Sequence, residues 1–393
     1  MSKKLAIIGA GPVGVEAAAR GVDEGCDVSV YDATRVGGAM RRWSHIRLFS
    51  PWSLNRSSWS EKRLRSENLT LPPGDEYPTC RQYLQNHLEP LALSIADSVD
   101  FHIQTEVLGV SKRGLLKGHL PGDKARADEP FVLHVSGPDG VRYDKADIVF
   151  DASGVLSNPN QLGPGGLPAL GEEELEDRIL RTIPDVHGRH RKWLEGRRVL
   201  VVGHGHSALS TLDLLTNLHK EAPKTVILWA FRSDGPPREE IDDDPLPERA
   251  RLDRFGNRAA RGEVDCIEPI PAAMVTRITE ADEGLDVLVQ QPNSRRTIRV
   301  DQLVANVGYR PDTSLTRELQ VHLCYATGGP MNLAASLLNA SSADCLDQPA
   351  AGADLLTNPE PNFYVLGAKS YGRNSNFLLQ VGFEQIDAVF ESI

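Results

Sequence analysis

The sequence is short of cysteine. It has five in 393 residues, Cys26, Cys80, Cys266, Cys324 and Cys345, and no two of them form a C-x-x-C pair. An odd, scattered set makes no disulfide framework and suits a reducing cytoplasm. It also offers no dithiol at the short spacing that disulfide redox chemistry uses, although two distant thiols could still meet in space. Positive charge is equally scarce. Lys and Arg number 43 against 54 Asp and Glu, a net charge of −11 at pH 7. No basic stripe is left to face a nucleic acid or an anionic membrane. No apolar run approaches the roughly twenty residues of a membrane span. The apolar residues near the N-terminus read as a strand and not as the core of a cleavable signal. With 40% hydrophobic and 25% charged residues, the chain is ordinary for a soluble enzyme and long enough for two domains with separate cores.

Glycine is present in a telling arrangement. Leu5 to Ile8 form an apolar run, followed by Gly9, Gly11 and Gly14 in G-x-G-x-x-G spacing. The first glycine permits a tight turn. The second lets the backbone approach a pyrophosphate, and the third lets the helix pack close to the strand. Pro12 and Val13 lie inside this loop and are counted with its ligand contacts. The residues Val15 to Arg20 are good helix formers, and the helix N-terminus offers free N–H groups to phosphates. The next strand, Val28 to Tyr31, ends on Asp32, where a carboxylate would accept from ribose hydroxyls.

The pattern occurs again. Arg198 to Val202 read as a buried strand, and Gly203, Gly205 and Ala208 give G-x-G-x-x-A. The helix Ser207–His219 carries an apolar stripe at Ala208, Leu212, Leu215 and Leu218. The following strand, Thr225–Phe231, ends on Arg232, a guanidinium suited to a 2′-phosphate and unsuited to a bare ribose. This site therefore reads as preferring NADPH, against the alternative of a solvated surface arginine. His204 and His206, both in the loop, are read as phosphate-loop residues, with Ser207, and not as metal ligands, since a third ligand is missing nearby. Apart from these two units no internal tandem repeat is visible. The fold class that follows is α/β, with two Rossmann-like domains.

Between the two loops, Glu106–Ser111, Phe131–Ser136 and Val141–Tyr143 look like a β-meander turning at Pro138-Asp139-Gly140, with Val107 as a further cofactor contact. The stretch Ser233–Arg251, rich in proline and acidic residues, reads as an exposed loop, with a lid over the nicotinamide as the alternative.

From Asp147 to Gly154 the chain resembles the two-dinucleotide-binding flavoproteins of the pyridine nucleotide–disulfide oxidoreductase superfamily. Their FAD domain closes with a strand and Ala-Thr-Gly, here Ala152-Ser153-Gly154. A matching segment, Asp301 to Pro311, carries Gly308, and Asn362 to Gly367 resembles the last FAD strand. In that family an Asp that holds the ribityl chain often comes next. Here Ala368 stands there, which leaves the contact to backbone or to Lys369 and Ser370. The resemblance implies a discontinuous FAD-binding domain, 1–160 with 302–393, and an inserted NAD(P)H-binding domain, 161–301.

Within the superfamily the chain resembles flavin-dependent monooxygenases, the flavin-containing monooxygenase and N-hydroxylase type. Gly37-Gly38 with Trp43, Leu48-Phe49-Ser50-Pro51, and Tyr77-Pro78-Thr79 before the helix Arg81–Ala92 resemble segments that wrap the flavin. Their Phe-Gly-His signature is met only in part, with His187 as the nearest counterpart, and the Baeyer–Villiger signature is absent. The resemblance implies FAD and NADPH as cofactors and O2 as a co-substrate, with oxygen transferred through a flavin C4a-hydroperoxide to a small nucleophilic substrate. Trp43, His45 and Arg47 are the residues near the flavin that could act on it, and no catalytic base is assigned. Two alternatives remain: an NAD(P)H oxidoreductase passing electrons to a quinone or protein without oxygen insertion, and a redox-inactive flavin-binding interaction protein. The oligomeric state stays open, a homodimer included.

Overall fold

The computed structural model describes residues 2–339, 346 and 352–393. Cys345 lies outside them. The chain forms two compact units, Met1–Asn158 with Arg310–Ile393, and Pro159–Tyr309.

In the first unit, β1 (Lys4–Ile8) leads into helix α1 (Pro12–Asp23), then β2 (Asp27–Asp32) and, after a helical excursion, β3 (Val99–Ile103). Three antiparallel strands follow: β4 (Glu106–Lys112), β5 (Phe131–Gly137) and β6 (Gly140–Ala146). The chain then returns as β7 (Ile148–Asp151) beside β1, and the strand Phe363–Val365 completes a five-stranded parallel sheet. Ile8 pairs with both Tyr31 and Asp151, so Gly9, Asp32 and Ala152 emerge along one edge. The meander turns where Gly137 pairs with Gly140, as its Pro138-Asp139 tip predicts. Alternate residues of β5, Phe131, Leu133 and Val135, are buried against Ala6, Ile8 and Val149 of the sheet.

The second unit repeats this plan. Its sheet runs β11 (Ile267–Ile270), β10 (Val226–Ala230), β9 (Arg198–Val202), β15 (Gln302–Ala305), β8 (Ile179–Leu180). The antiparallel strands β12 (Met274–Glu280), β13 (Leu285–Gln291) and β14 (Ser294–Val300) stand where the first unit has its meander. The sequence repeat thus extends beyond the two glycine loops.

Three expectations change. The sheet strand expected to open the returning segment at 302 belongs to the second unit, because Gln302–Ala305 pairs with β9, and the first unit resumes at Arg310. The helix expected at Arg81–Ala92 forms, unbroken from Cys80 to Leu93, but carries a π-turn at Leu84–Leu88 between its α-helical ends Cys80–Tyr83 and Glu89–Leu93. Pro90 lacks an N–H and its ring clashes with the carbonyl four residues back, so the ladder widens there. The loop expected at Ser233–Arg251 ends sooner, at Leu246, because its last five residues open the 14-residue helix Pro247–Ala260, whose polar residues Arg249, Asp253 and Asn257 are buried.

Candidate functional site

The first glycine loop is built by backbone contact. Gly9 has φ +103°, and a Cβ there would lie 2.5 Å from the Ala152 carbonyl oxygen. A Cβ on Gly14 would come within 1.9 Å of the Gly9 oxygen, so helix and turn meet only with glycine. Gly11, the N-cap of α1, has nothing within 4 Å of its Cβ direction. Pro12 fills the first helical position, where an N–H would be orphaned anyway. Val13 is buried, with its side chain 3.2 Å from the Cβ direction of Gly367 and 2.6 Å from that of Gly382. It fixes the start of α1 by packing. Asp32 accepts from Ala10 N (2.9 Å), Thr34 N (2.8 Å) and Thr34 Oγ1 (2.8 Å). A carboxylate has about four acceptor sites, which leaves room for a ribose hydroxyl. An open glycine, a helix N-terminus and a held carboxylate fit a dinucleotide such as FAD.

Around this loop the other candidates take distinct places. Gly37 N donates to Ala10 O at 2.9 Å, which brings the Gly37-Gly38 turn against the loop. A Cβ on Gly38 would strike Thr34 Oγ1 at 2.0 Å. The Val107 side chain is spent on the core between sheet and meander. Ser153 Oγ donates to Asp151 Oδ1 (2.6 Å), and Gly154 follows with open space beside it. Lys369 is not free for a ribityl chain: it is 3% exposed, pairs with Asp151 Oδ2 at 2.6 Å and donates to Ser153 Oγ at 3.0 Å. Nor is Ser370, which is buried between Gly367 O and Gln385 Nε2. Ala368, between them, is half-buried.

Trp43 and His45 are half-buried and Arg47 is exposed. Arg47 Nη1 donates to Tyr77 O (2.5 Å), while Leu48 N donates to Pro78 O and Cys80 N to Ile46 O, each at 2.8 Å. Arg47 therefore staples the 44–48 segment to 77–81, a structural task. The same segment buries Asn55, whose amide donates to Ser50 O and Pro51 O at 2.8 Å. No periodicity marks Asn55 in advance.

The second loop has the same build. Gly203 has φ +127°, with Asn306 O 2.2 Å from its Cβ direction, and Gly205 is an open N-cap for the helix His206–Glu221, here α2. Ala208 is fully buried and Ser207 exposed. Trp229 Nε1 donates to Gly203 O at 2.7 Å and so braces the turn from β10. Arg232 follows that strand, exposed. His204 is held below the usual imidazole range by burial, and further by Arg238 and Arg232. His206 Nε2 lies 3.1 Å from Asp253 Oδ1, and Arg238 Nε donates to the same oxygen at 2.7 Å. Burial pushes the Asp253 carboxyl up, yet the bonds from His206 and Arg238 hold it below its usual value. Sequence reasoning passed over Arg238 because its segment, Ser233–Arg251, reads as an exposed loop, and over Asp253 because it lies just beyond that segment. The i, i+4 spacing of Arg249, Asp253 and Asn257 was the available signal. Gly308 has φ +84° and its carbonyl accepts from Asn160 N (3.0 Å). His187, by contrast, is half exposed, 4.0 Å from Glu221, and joins neither loop.

The four described cysteines are free thiols. Burial pushes the Cys80 thiol up to about 12, and Cys26 is raised too. Cys324 is lowered by bonds from the Thr327 N–H and hydroxyl. Among the described residues no group of His, Cys, Asp and Glu could hold a metal ion, and no helix is long and apolar enough to cross a membrane.

Comparison with known proteins agrees with this geometry. The profile of the family described as "Pyridine nucleotide-disulphide oxidoreductase" matches residues 3–329. No curated protein sequence matches the chain. Among solved structures, a bacillithiol disulfide reductase from Bacillus cereus is similar over 100% of this chain and 98% of its own, at 20% identity and a TM-score of 0.72. The thioredoxin reductase of T. acidophilum covers 100% and 98%, at 15% identity and 0.59. An ornithine N-hydroxylase from Kutzneria sp. 744 covers 100% of both chains, at 16% identity and 0.61. At these identities the likeness is one of fold.

Proposed function

Because the chain belongs to the pyridine nucleotide-disulphide oxidoreductase family, flavin-dependent oxidoreductases that bind FAD and work with NAD(P)H, we propose that it is an FAD enzyme that oxidises NADPH. The unit of residues 1–158 and 310–393 holds FAD and the unit of residues 159–309 holds NADPH. One observation carries the assignment. The two glycine loops have the same build but opposite charge at the following strand end, Asp32 after the first and Arg232 after the second. A carboxylate accepts from a ribose hydroxyl and repels a phosphate, whereas a guanidinium does the reverse.

When bound, FAD would supply the redox chemistry, as acceptor of electrons from the nicotinamide. The protein's own residues orient the two nucleotides and shield the flavin from water. None of the four described thiols is placed as half of a dithiol, which supports an external, small acceptor. The first reading is monooxygenation, with O2 as co-substrate and a small nucleophile as oxygen acceptor. The flavin-wrapping segments around Trp43 and Thr79, and the likeness to N-hydroxylases, support it. The second reading is direct reduction of a small disulfide or quinone, supported by the likeness to the bacillithiol disulfide reductase. Two intact phosphate loops speak against a redox-inactive protein.

The nucleotide assignment is tested with Arg232→Ala in the FAD-loaded protein. KM for NADPH rises at least about tenfold while KM for NADH stays put, and equal effects on both sink the assignment. The acceptor is tested by following NADPH and O2 consumption with candidate amines. Oxygenation consumes one O2 per NADPH without matching peroxide release. Full release of peroxide, with fast turnover on a quinone or disulfide, replaces the first reading with the second.

A further inference from the structure

Residues 233–246 form an arm beside the second glycine loop, and polar residues of the helix Pro247–Ala260 hold it. Arg249 makes a bidentate pair with Asp244 (2.7 and 2.6 Å). One turn on, Asp253 takes Arg238 Nε. A further turn on, Asn257 accepts from Arg238 N (3.1 Å) and donates to Arg238 O (2.9 Å) and Glu240 Oε1 (2.8 Å). Arg238 is thus pinned at its amide, its carbonyl and its Nε. A long side chain on a loop otherwise gives up rotamer entropy when it orders on a ligand; here folding has already ordered it.

The remaining donors have direction. Asp253 Oδ1 accepts from both Arg238 Nε and His206 Nε2, which places the Nε2 proton on the Asp253 side. Arg238 Nη2 lies 3.2 Å from the same His206 Nε2. Nη1 has no partner among the described residues, and the side chain is 27% exposed. Arg232, also exposed, follows β10 at the point where Ala230 O accepts from Gly203 N (3.0 Å), and Arg238 reaches the same loop at His206, so both arginines stand at the loop's mouth. Asp253 is the carboxylate bonded to the Arg238 side chain, and the two guanidinium groups are complementary in geometry and sign to a phosphate of about −1.5 to −2.

We propose that Asp253 is a positioning residue for nucleotide choice: its buried carboxylate aims Arg238, alongside Arg232, at the 2′-phosphate of NADPH, so that the phosphorylated nucleotide is taken over NADH. This rests on the reading of residues 159–309 as the NADPH unit. A carboxylate that served only to hold helix and arm together would affect both nucleotides alike.

The test uses the full-length, FAD-loaded protein and adenosine 2′,5′-bisphosphate as probe, with NADPH and NADH kinetics alongside. Asp253→Asn weakens the probe, and raises KM for NADPH, by at least about tenfold while KM for NADH moves less than about twofold. Arg238→Ala, which keeps the amide and carbonyl bonds to Asn257, has the same effect, and the double variant is no worse than either single one. Equal weakening of NADPH and NADH by Asp253→Asn, or additive losses in the double variant, overturns the proposal. If Arg232→Ala loses the probe but Arg238→Ala does not, the NADPH reading survives and the role of Asp253 falls. If the unaltered protein fails to bind the probe yet oxidises NADH, the NADPH reading fails and takes this inference with it.

Discussion

Glu16 lies inside α1, two residues past the last glycine of the first loop, and is 3% exposed. One carboxyl oxygen bonds the hydroxyl of Ser57, the N-cap of the helix Ser58–Ser66, and the other has no hydrogen-bond partner. Burial pushes this carboxyl up to about 7, against a smaller pull from Ser57 and Ser60, with Asp387 adding to the rise. The acid is therefore neutral in the folded state where the unfolded chain has already ionised. Its contribution is most favourable below the unfolded value of 4.5, falls as pH rises through the interval to about 7, and is flat above. Glu16→Gln keeps the volume and the oxygen that accepts from Ser57 but cannot ionise. It is expected to stabilise the protein at about pH 8 by up to about 3 kcal/mol, with no gain near pH 4.5. Thermal unfolding of both proteins at the two pH values checks this; a gain that is the same at both would remove ionisation as the cause. His87 behaves in the opposite sense: burial drives its imidazole down to about 3, so it stays neutral throughout.

At the scale of elements, the first strand–turn–helix makes a prediction that separates folding from ligand binding. Gly14→Ala drives a methyl to within 1.9 Å of the Gly9 oxygen and forces α1 off the strand, so unfolding at lower denaturant and loss of bound FAD go together. Gly11→Ala meets nothing within 4 Å. It should leave the denaturation midpoint unchanged and still weaken FAD at least about tenfold, because only the approaching diphosphate occupies that space. Fluorescence titration of the apoprotein with FAD, beside urea unfolding, reads both; a Gly11→Ala protein that binds FAD normally refutes the assignment of this loop. A second element depends on one buried pair. Arg126 donates to Glu360 through Nε (2.9 Å) and Nη2 (2.7 Å), with both side chains 0% exposed, and Glu360 also accepts from Gln320 N (2.9 Å). Glu360→Gln strands the guanidinium in the interior and is expected to cost about 3–5 kcal/mol in urea unfolding.

On the scale of the whole molecule, the same plan is used twice: parallel sheet, glycine loop, antiparallel three-strand excursion, return strand. On the proposed assignment each copy would supply its own nucleotide site, so ligands should report on one unit at a time. Adenosine 2′,5′-bisphosphate is expected to slow hydrogen exchange at residues 203–208 and 232–238 and to leave residues 9–14 unchanged, and FAD to do the converse. Protection of residues 9–14 by the bisphosphate alone would show the two assignments to be exchanged. Much of this plan could be read beforehand. Both loops, their helices and the first meander follow from glycine spacing and from alternation over a few residues, as in Phe131, Leu133 and Val135. The second meander carries the same signals, with Leu285, Val287 and Val289 buried in alternation and Pro292-Asn293 at its turn, so it too is legible in the sequence.

What the sequence determined by itself is local: where the turns need glycine, which strands lie inside, and which charge ends each nucleotide strand. These depend on neighbours within about one helical turn or one hairpin, where spacing maps directly onto contact. The tertiary structure decided which polar residues are shared. Lys369 is drawn away from a ribityl role by Asp151, 218 positions earlier, and His206 meets Asp253 across 47 positions. The strand Gln302–Ala305 goes to the second sheet because β9 offers it an unpaired edge. Burial then changes the chemistry of what it encloses, as at Glu16, and burial depends on packing between segments that no local pattern records.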